Sequence, residues 1–148
     1  MRTALVVDDI AYTRLLYGKA LKKLGYAVAE AENGKEAVRS ALTSPPALIL
    51  LDLNLPDLSG LEVLQTLRAQ QVTTPVIVIT ANEDRALVMK LVALGISDYL
   101  IKTVDLYELQ KRVQRALGEV PAACLLYTSD PAADRSGVAL SVPRYLPK

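Results

Sequence analysis

The chain has 148 residues, with 17 Lys plus Arg against 16 Asp plus Glu, one Cys, and no His, Trp or Phe. That length suits one globular domain with a sizeable core, or a slightly smaller domain plus a tail, and argues against a second folded domain. Without His there is no Ser-His-Asp or Cys-His catalysis, no imidazole zinc ligand and no phosphohistidine; the lone Cys124 forms no internal disulfide or thiolate cluster; and a formal charge of +1 argues against a nucleic-acid backbone as the main ligand.

Short runs rich in Val, Ile and Leu alternate with longer stretches of helical spacing, the βαβ signature of a parallel sheet. The first run, Ala4 to Val7, leads straight into Asp8 and Asp9 rather than into a signal peptide. Ala11 to Leu24 carries Leu15, Leu16, Ala20, Leu21 and Leu24 on one stripe, and Gly25 stops it. Tyr26 to Glu30 is a weaker strand, suited to a place near an edge. Asn33 caps a predicted helix from Gly34 to Leu42, which the pair Pro45 and Pro46 ends. Ala47 to Leu51 and Val76 to Ile79 are apolar throughout, as strands covered on both faces must be. Between them Ser59 caps a helix that turns Leu61, Val63, Leu64 and Leu67 inward. Asn82 or Glu83 opens the next helix, which runs to Leu94 with Gly95 as its stop. Tyr99 to Ile101 is the second weak strand. Asp105 caps the last helix, in which Leu106, Leu109, Val113 and Leu117 are apolar, and Gly118 ends it.

Beyond Gly118 the periodicity stops. Pro121, Pro131, Pro143 and Pro147 mix with small and polar residues, so 1–118 reads as the domain and 119–148 as an irregular tail. Cys124 to Ser129 (CLLYTS) resembles the translated end of a transposon or sequencing adapter, which would make the tail a fusion scar; the alternative is a natural extension packing through Leu125 and Leu126. The longest apolar stretches fall far short of the ~20 residues of a membrane helix. The lone Cys124 fits a reducing compartment, and a cytoplasmic location is expected.

Ligands of an open parallel sheet bind beyond the carboxyl ends of its strands. Here the first strand ends in Asp8 and Asp9, the third in Asp52, the fourth in Thr80 and the fifth in Lys102. A cluster of carboxylates repels itself unless a cation neutralises it, and oxygen ligands beside a phosphate position suit Mg²⁺. A carboxylate at the centre can attack phosphorus and form an aspartyl phosphate. The metal, Lys102 and a hydroxyl would then spread over the oxygens of the transferring group.

The segments LVVDDI (5–10), LILLDLNLPDLSGLEVL (48–64), TPVIVITA (74–81) and DYLIK (98–102), with the weaker AENGKEAV (31–38), resemble the receiver domain of bacterial response regulators over about residues 2–118. The resemblance implies a flavodoxin-like α/β sandwich whose five parallel strands run in the order 2-1-3-4-5 with five helices. It implies that Asp52 is the phosphoacceptor, and that Asp8, Asp9, Asp52 and the backbone carbonyl of Asn54 hold Mg²⁺. Thr80 would hydrogen-bond the phosphoryl group, Lys102 would pair with it, and Tyr99 would be the switch aromatic. The output face would be formed by the fourth helix, fifth strand and fifth helix. Thr103 stands where the family usually has a proline after a cis bond, so cis and trans are both open at Lys102–Thr103. Asn54 and Asn82 occupy positions that modulate acyl phosphate lifetime in the family, with no direction implied by two amides. Ala81 is small and leaves the phosphate pocket open, while Pro56 and Gly60 read as plain turn residues.

The leading expectation is a phosphorylation-controlled switch, fed by a sensor histidine kinase or phosphotransfer protein and acting on an unknown downstream protein. It would catalyse only its own phosphorylation and dephosphorylation. A phosphohydrolase of the haloacid dehalogenase type is the enzyme alternative, but its motif wants Asp where Asn54 stands. A phosphorylation-independent docking module is the binding alternative. No direct nucleic-acid or membrane binding is expected, and the chain is either a stand-alone receiver or a piece of a longer regulator. Lys111, Arg112 and Arg115 form a basic last helix that reads as a solvated face, with an acidic partner or a homodimer through the output face as the alternative.

Overall fold

Each apolar run becomes a strand of one parallel sheet in the computed structural model, which describes residues 2–81 and 84–118. The strands are β1 (Thr3–Val7), β2 (Ala27–Ala31), β3 (Leu48–Leu51), β4 (Val76–Thr80) and β5 (Asp98–Ile101), and they lie side by side in the order β2-β1-β3-β4-β5. The helices between them are α1 (Ala11–Lys23), α2 (Gly34–Thr43), α3 (Gly60–Ala69), α4 (Arg85–Ala93) and α5 (Leu106–Ala116). The expected fold and strand order are both present, and the two weak strands are the two edges.

Alternation along the central strands builds a core on each face of the sheet. Leu5, Val7, Ile49, Leu51, Val76 and Val78 pack with Val63, Leu64 and Leu67 of α3 and Leu91 of α4. Ala4, Val6, Leu48, Leu50, Ile77 and Ile79 pack with Leu21 of α1 and Leu109 and Val113 of α5. Because helices cover both faces, β1, β3 and β4 are apolar along their lengths apart from Thr3 and Thr80 at the ends, which is why their sequences are continuous rather than alternating.

Local signals set the helix boundaries. Asn33 accepts from the Glu36 N–H at 2.8 Å, and Ser59 and Glu62 form a reciprocal capping box at the start of α3. Gly25 and Gly95 follow α1 and α4 with φ of +95° and +81°, the left-handed turn that closes a helix end. One expectation shifts: Asp84 caps α4, its carboxylate accepting from the Ala86 N–H at 3.0 Å, whereas Asn82 and Glu83 lie outside the described residues. The stripe of α1 holds at Leu16, Ala20, Leu21 and Leu24 and differs at one position. Leu15 faces solvent at 49% exposure, and Tyr17 is buried in its place among the side chains that α1 packs against the sheet.

One guanidinium ties the far end of the sheet. Arg68, at the end of α3, donates to the carbonyls of Leu94 and Val72 at 2.8 Å, Thr74 at 3.1 Å and Gly95 at 3.2 Å. It thereby joins the carboxyl end of α4 to the turn entering β4. The peptide Lys102–Thr103, open on sequence grounds, is cis. Among the described residues no helix is long and apolar enough to cross a membrane. The expectations about residues 119–148, including Cys124 and the CLLYTS segment, fall outside the described residues.

Candidate functional site

Parallel pairing in register brings the strand ends together. Val7 of β1 pairs with Leu51 of β3, so Asp8 and Asp52 leave the sheet side by side. The Asp52 N–H donates to the Val7 carbonyl at 3.0 Å, extending the ladder to the acid itself. Each of Asp8, Asp9 and Asp52 offers an oxygen lying within 4.8 Å of the others. Asp8 and Asp52 are 2% and 4% exposed, while Asp9 faces solvent. The sequence-predicted acids thus converge on one mouth with one open side.

The Lys102 ammonium donates to Asp8 Oδ2 at 2.9 Å and to Asp52 Oδ2 at 3.0 Å. The Asn54 N–H takes the other oxygen, donating to Asp52 Oδ1 at 3.1 Å. Both oxygens of the central carboxylate are therefore held, one by backbone and one by a cation. Burial pushes the Asp52 carboxyl above its ordinary range, against the Asn54 and Lys102 hydrogen bonds, and the charge of Asp8 adds to the rise. Burial pulls the other way on Lys102, but its bonds to Asp8 and Asp52 prevail and hold its proton more tightly than usual. The two directions share a cause: one ammonium serves two buried carboxylates, with the Asp9 carboxylate nearby, so the mouth carries an excess of negative charge. A donor set of carboxylate oxygens with an open side fits a hard divalent cation such as Mg²⁺, which keeps several waters.

Thr80 ends β4 fully buried, and the Lys102 N–H donates to its carbonyl at 2.9 Å, so hydroxyl and ammonium sit on neighbouring strand ends. Tyr99, three residues before Lys102 on β5, is half-buried against the core on the α3 and α4 side. Asn54 is exposed, and Ala81 opens to solvent.

Several residues that shape this mouth were not singled out by their sequence. Arg14 of α1 donates to the Asp8 carbonyl at 2.7 Å and to Glu30 Oε1 at 2.8 Å, bracing the Asp8–Asp9 turn against β2. Asp57 accepts from the N–H groups of Gly34 at 2.7 Å and Lys35 at 3.0 Å, docking the loop after β3 onto the amino end of α2. Gly60 is more than a plain turn residue. It opens α3 so close to the preceding strand that a Cβ there would stand 2.6 Å from the Asp52 carbonyl oxygen. The basic last helix is not simply solvated: Arg112 binds both oxygens of Asp98 at 2.8 and 2.9 Å and Glu108 at 2.7 Å.

A family model for the response regulator receiver domain matches residues 4–114. Among curated proteins, the chain is 38% identical over 115 residues to a cyclic di-GMP phosphodiesterase of Thermotoga maritima, covering 78% of this chain and 31% of that protein. It is 37% identical over 113 residues to the alkaline phosphatase synthesis transcriptional regulatory protein PhoP of Bacillus subtilis, covering 76% of this chain and 47% of that one. The chain thus spans less than half the length of these relatives. Among solved structures, the response regulator protein TrrA of Thermotoga maritima, in complex with Mg²⁺ and a beryllium fluoride, superposes with a TM-score of 0.71 at 32% identity, over 79% of this chain and all of that one.

Proposed function

The chain belongs to the response regulator receiver domain family, and on that premise we propose that it is a switch thrown by phosphorylation of Asp52. The observation that carries this reading is the meeting of Asp8, Asp9 and Asp52 around one point, with the Lys102 ammonium 3.0 Å from the acceptor carboxylate. The donor is a phosphohistidine on a sensor histidine kinase or phosphotransfer protein, the donor class of response regulators, and these 148 residues contain no His. In the transfer an oxygen of Asp52 forms a bond to phosphorus while the donor's N–P bond breaks, and the released imidazole nitrogen takes a proton from water. Small phosphodonors such as acetyl phosphate serve the same chemistry.

Asp8, Asp9, Asp52 and the Asn54 carbonyl would hold Mg²⁺, which when bound draws charge from the phosphoryl oxygens. Lys102 keeps Asp52 oriented before transfer and then pairs with a phosphoryl oxygen. Thr80 offers its hydroxyl to another. That TrrA, 32% identical, is recorded with Mg²⁺ and a beryllium fluoride supports a site for a divalent ion and a phosphoryl-like group. Only the chain's own Asp52 is turned over, and the phosphodiesterase activity in one relative's name belongs to a protein of which this chain covers 31%. The phosphohydrolase alternative has no observation in its favour, since Asn54 stands where its general acid is required.

For output, phosphorylation draws Thr80 toward the phosphoryl group and Tyr99 rotates into the space left behind it, and the change is read on the face of α4, β5 and α5. Met89, Val92, Ile101 and Tyr107 are exposed there at 66%, 58%, 36% and 66%. Large apolar groups exposed on these elements suit a protein partner, either a downstream target or a second copy. The setting is cytoplasmic.

The test is incubation of the full chain with labelled acetyl phosphate and Mg²⁺. Wild-type protein takes up base-labile label, and Asp52→Asn takes up none. Equal labelling of the variant would refute Asp52 as acceptor. A wild-type chain that ignores Mg²⁺ and beryllofluoride would favour the docking module instead.

A further inference from the structure

The loop between β3 and α3 carries the backbone N–H that fixes Asp52 Oδ1, and something must hold that loop still. Its near end is tied by the Gly60 N–H, which donates to the Leu53 carbonyl at 2.9 Å. Its far end is tied by Asp57. One carboxylate oxygen of Asp57 accepts from Gly34 at 2.7 Å and from Leu58 at 2.7 Å, and the other accepts from Lys35 at 3.0 Å. Gly34 and Lys35 are the first residues of α2, where unpaired N–H groups and the helix dipole favour a negative charge. Those bonds pull the Asp57 carboxyl below its ordinary range and outweigh its desolvation. Gly34 allows the close approach, because a Cβ there would stand 2.7 Å from Leu58 Cβ.

We infer that Asp57 is a positioning residue of the phosphoacceptor site: it locks the loop at 53–59 to the amino end of α2 and thereby fixes the Asn54 backbone against Asp52. The inference rests on the reading of Asp52 as the phosphoacceptor. Asp57 touches neither phosphorus nor metal. Its effect passes through the Asn54 N–H, which orients Asp52, and through the Asn54 carbonyl, assigned above to the metal.

The structure also supplies a control for a merely structural role. Asn33 caps the same helix through the Glu36 N–H without touching the loop. Asp57→Ala, Asp57→Asn and Asn33→Ala would be compared in the full chain. Two measurements serve: amide hydrogen exchange at Asn54 without metal, and Mg²⁺ affinity from NMR shift titration. Asp57→Ala should speed Asn54 exchange and weaken Mg²⁺ binding about tenfold, the lower end of what loss of an outer-shell partner costs a metal site. Asp57→Asn, which keeps an acceptor oxygen, should fall between. Asn33→Ala should loosen α2 with both readouts unchanged. Wild-type Asn54 exchange and Mg²⁺ affinity within twofold in Asp57→Ala would overturn the inference, as would equal effects from Asn33→Ala. A wild-type chain that shows no Mg²⁺ response would overturn the phosphoacceptor reading itself, and only the exchange result would then judge the Asp57 lock.

Discussion

Replacing Lys102 by Met keeps the aliphatic stem and removes the one charge that bridges Asp8 and Asp52. The ammonium sits 2.9 and 3.0 Å from carboxylates whose side chains are 3% and 4% exposed, and is itself 19% exposed. At such distances each pair is worth roughly 5 kcal/mol of gross attraction in a medium of effective dielectric ~20, from which the cost of stripping water from the ammonium must be subtracted. Breaking a buried pair from one side costs about 3–5 kcal/mol. Partial exposure of Lys102 and the option of protonating Asp52 place the expected loss at the lower end, about 3 kcal/mol at neutral pH without metal. Urea unfolding measures it.

The pH dependence has a definite sign. The folded pKa of Lys102 is raised above the ordinary 10.5, so its contribution is complete below that value and lost as pH rises through the folded one. Lys102→Met lacks that alkaline loss. Its deficit shrinks in acid instead, because the Asp52 carboxyl, which burial already pushes above its ordinary range, protonates readily once the ammonium is gone. Mg²⁺ should stabilise the variant more than the wild type, since the ammonium and the ion compete for the same oxygens. A variant within about 0.5 kcal/mol of wild type in metal-free buffer, or one that gains less from Mg²⁺, would refute the reasoning.

Gly60→Ala puts a methyl group 2.6 Å from the Asp52 carbonyl oxygen and 2.7 Å from Leu53 Cα, backbone atoms with no rotamer to yield. Overpacking of that kind costs about 3 kcal/mol, and because the displaced atom belongs to Asp52, beryllofluoride affinity should fall with stability; a variant that melts and binds like wild type sinks the close-approach argument. Arg112→Met should move the Glu108 carboxyl back toward its ordinary range, since the Arg112 hydrogen bond is the main cause of its depression, with Lys111 and Arg115 still lowering it. A depressed carboxylate stabilises above its unfolded pKa and loses that contribution as pH falls through the folded one, so the variant should show a flatter acid limb in urea melts. An unchanged Glu108 titration by NMR would exclude the pairing.

Sequence reading found what hydrogen-bond ladders and burial dictate. Continuous Val, Ile and Leu runs require a doubly covered sheet, and the acids at 8, 9 and 52 follow from where those runs stop. Side chains whose partners are main-chain atoms left no such trace. Asp57, Arg14 and Arg68 bind carbonyls and N–H groups of distant segments, and only the tertiary approach of those segments creates the site. For Asp57 the signal available was its place in the turn PDLSG, three residues before the first glycine of α3. The exposure of Leu15 in α1 has a different origin. Leu15 and Tyr17 satisfy helical spacing about equally well, and the packing of α1 against the sheet decides between them. The start of α4 was misplaced because Asn, Glu and Asp follow one another, and each of the three is a competent opener.

Four carbonyl bonds from Arg68 give α4 a fulcrum. Two of them grip the residues just past its carboxyl end, Leu94 and Gly95, and two grip the turn leading into β4. A displacement that keeps them is a lever movement about that end, with the amino-terminal turn at Arg85 as the far tip. The helix has nine residues, so tilting it by ~10° swings the tip by roughly 2 Å while the base stays put. A small push beside Thr80 would thus be magnified at the end of α4 nearest the phosphoacceptor, and damped where the helix rejoins the sheet.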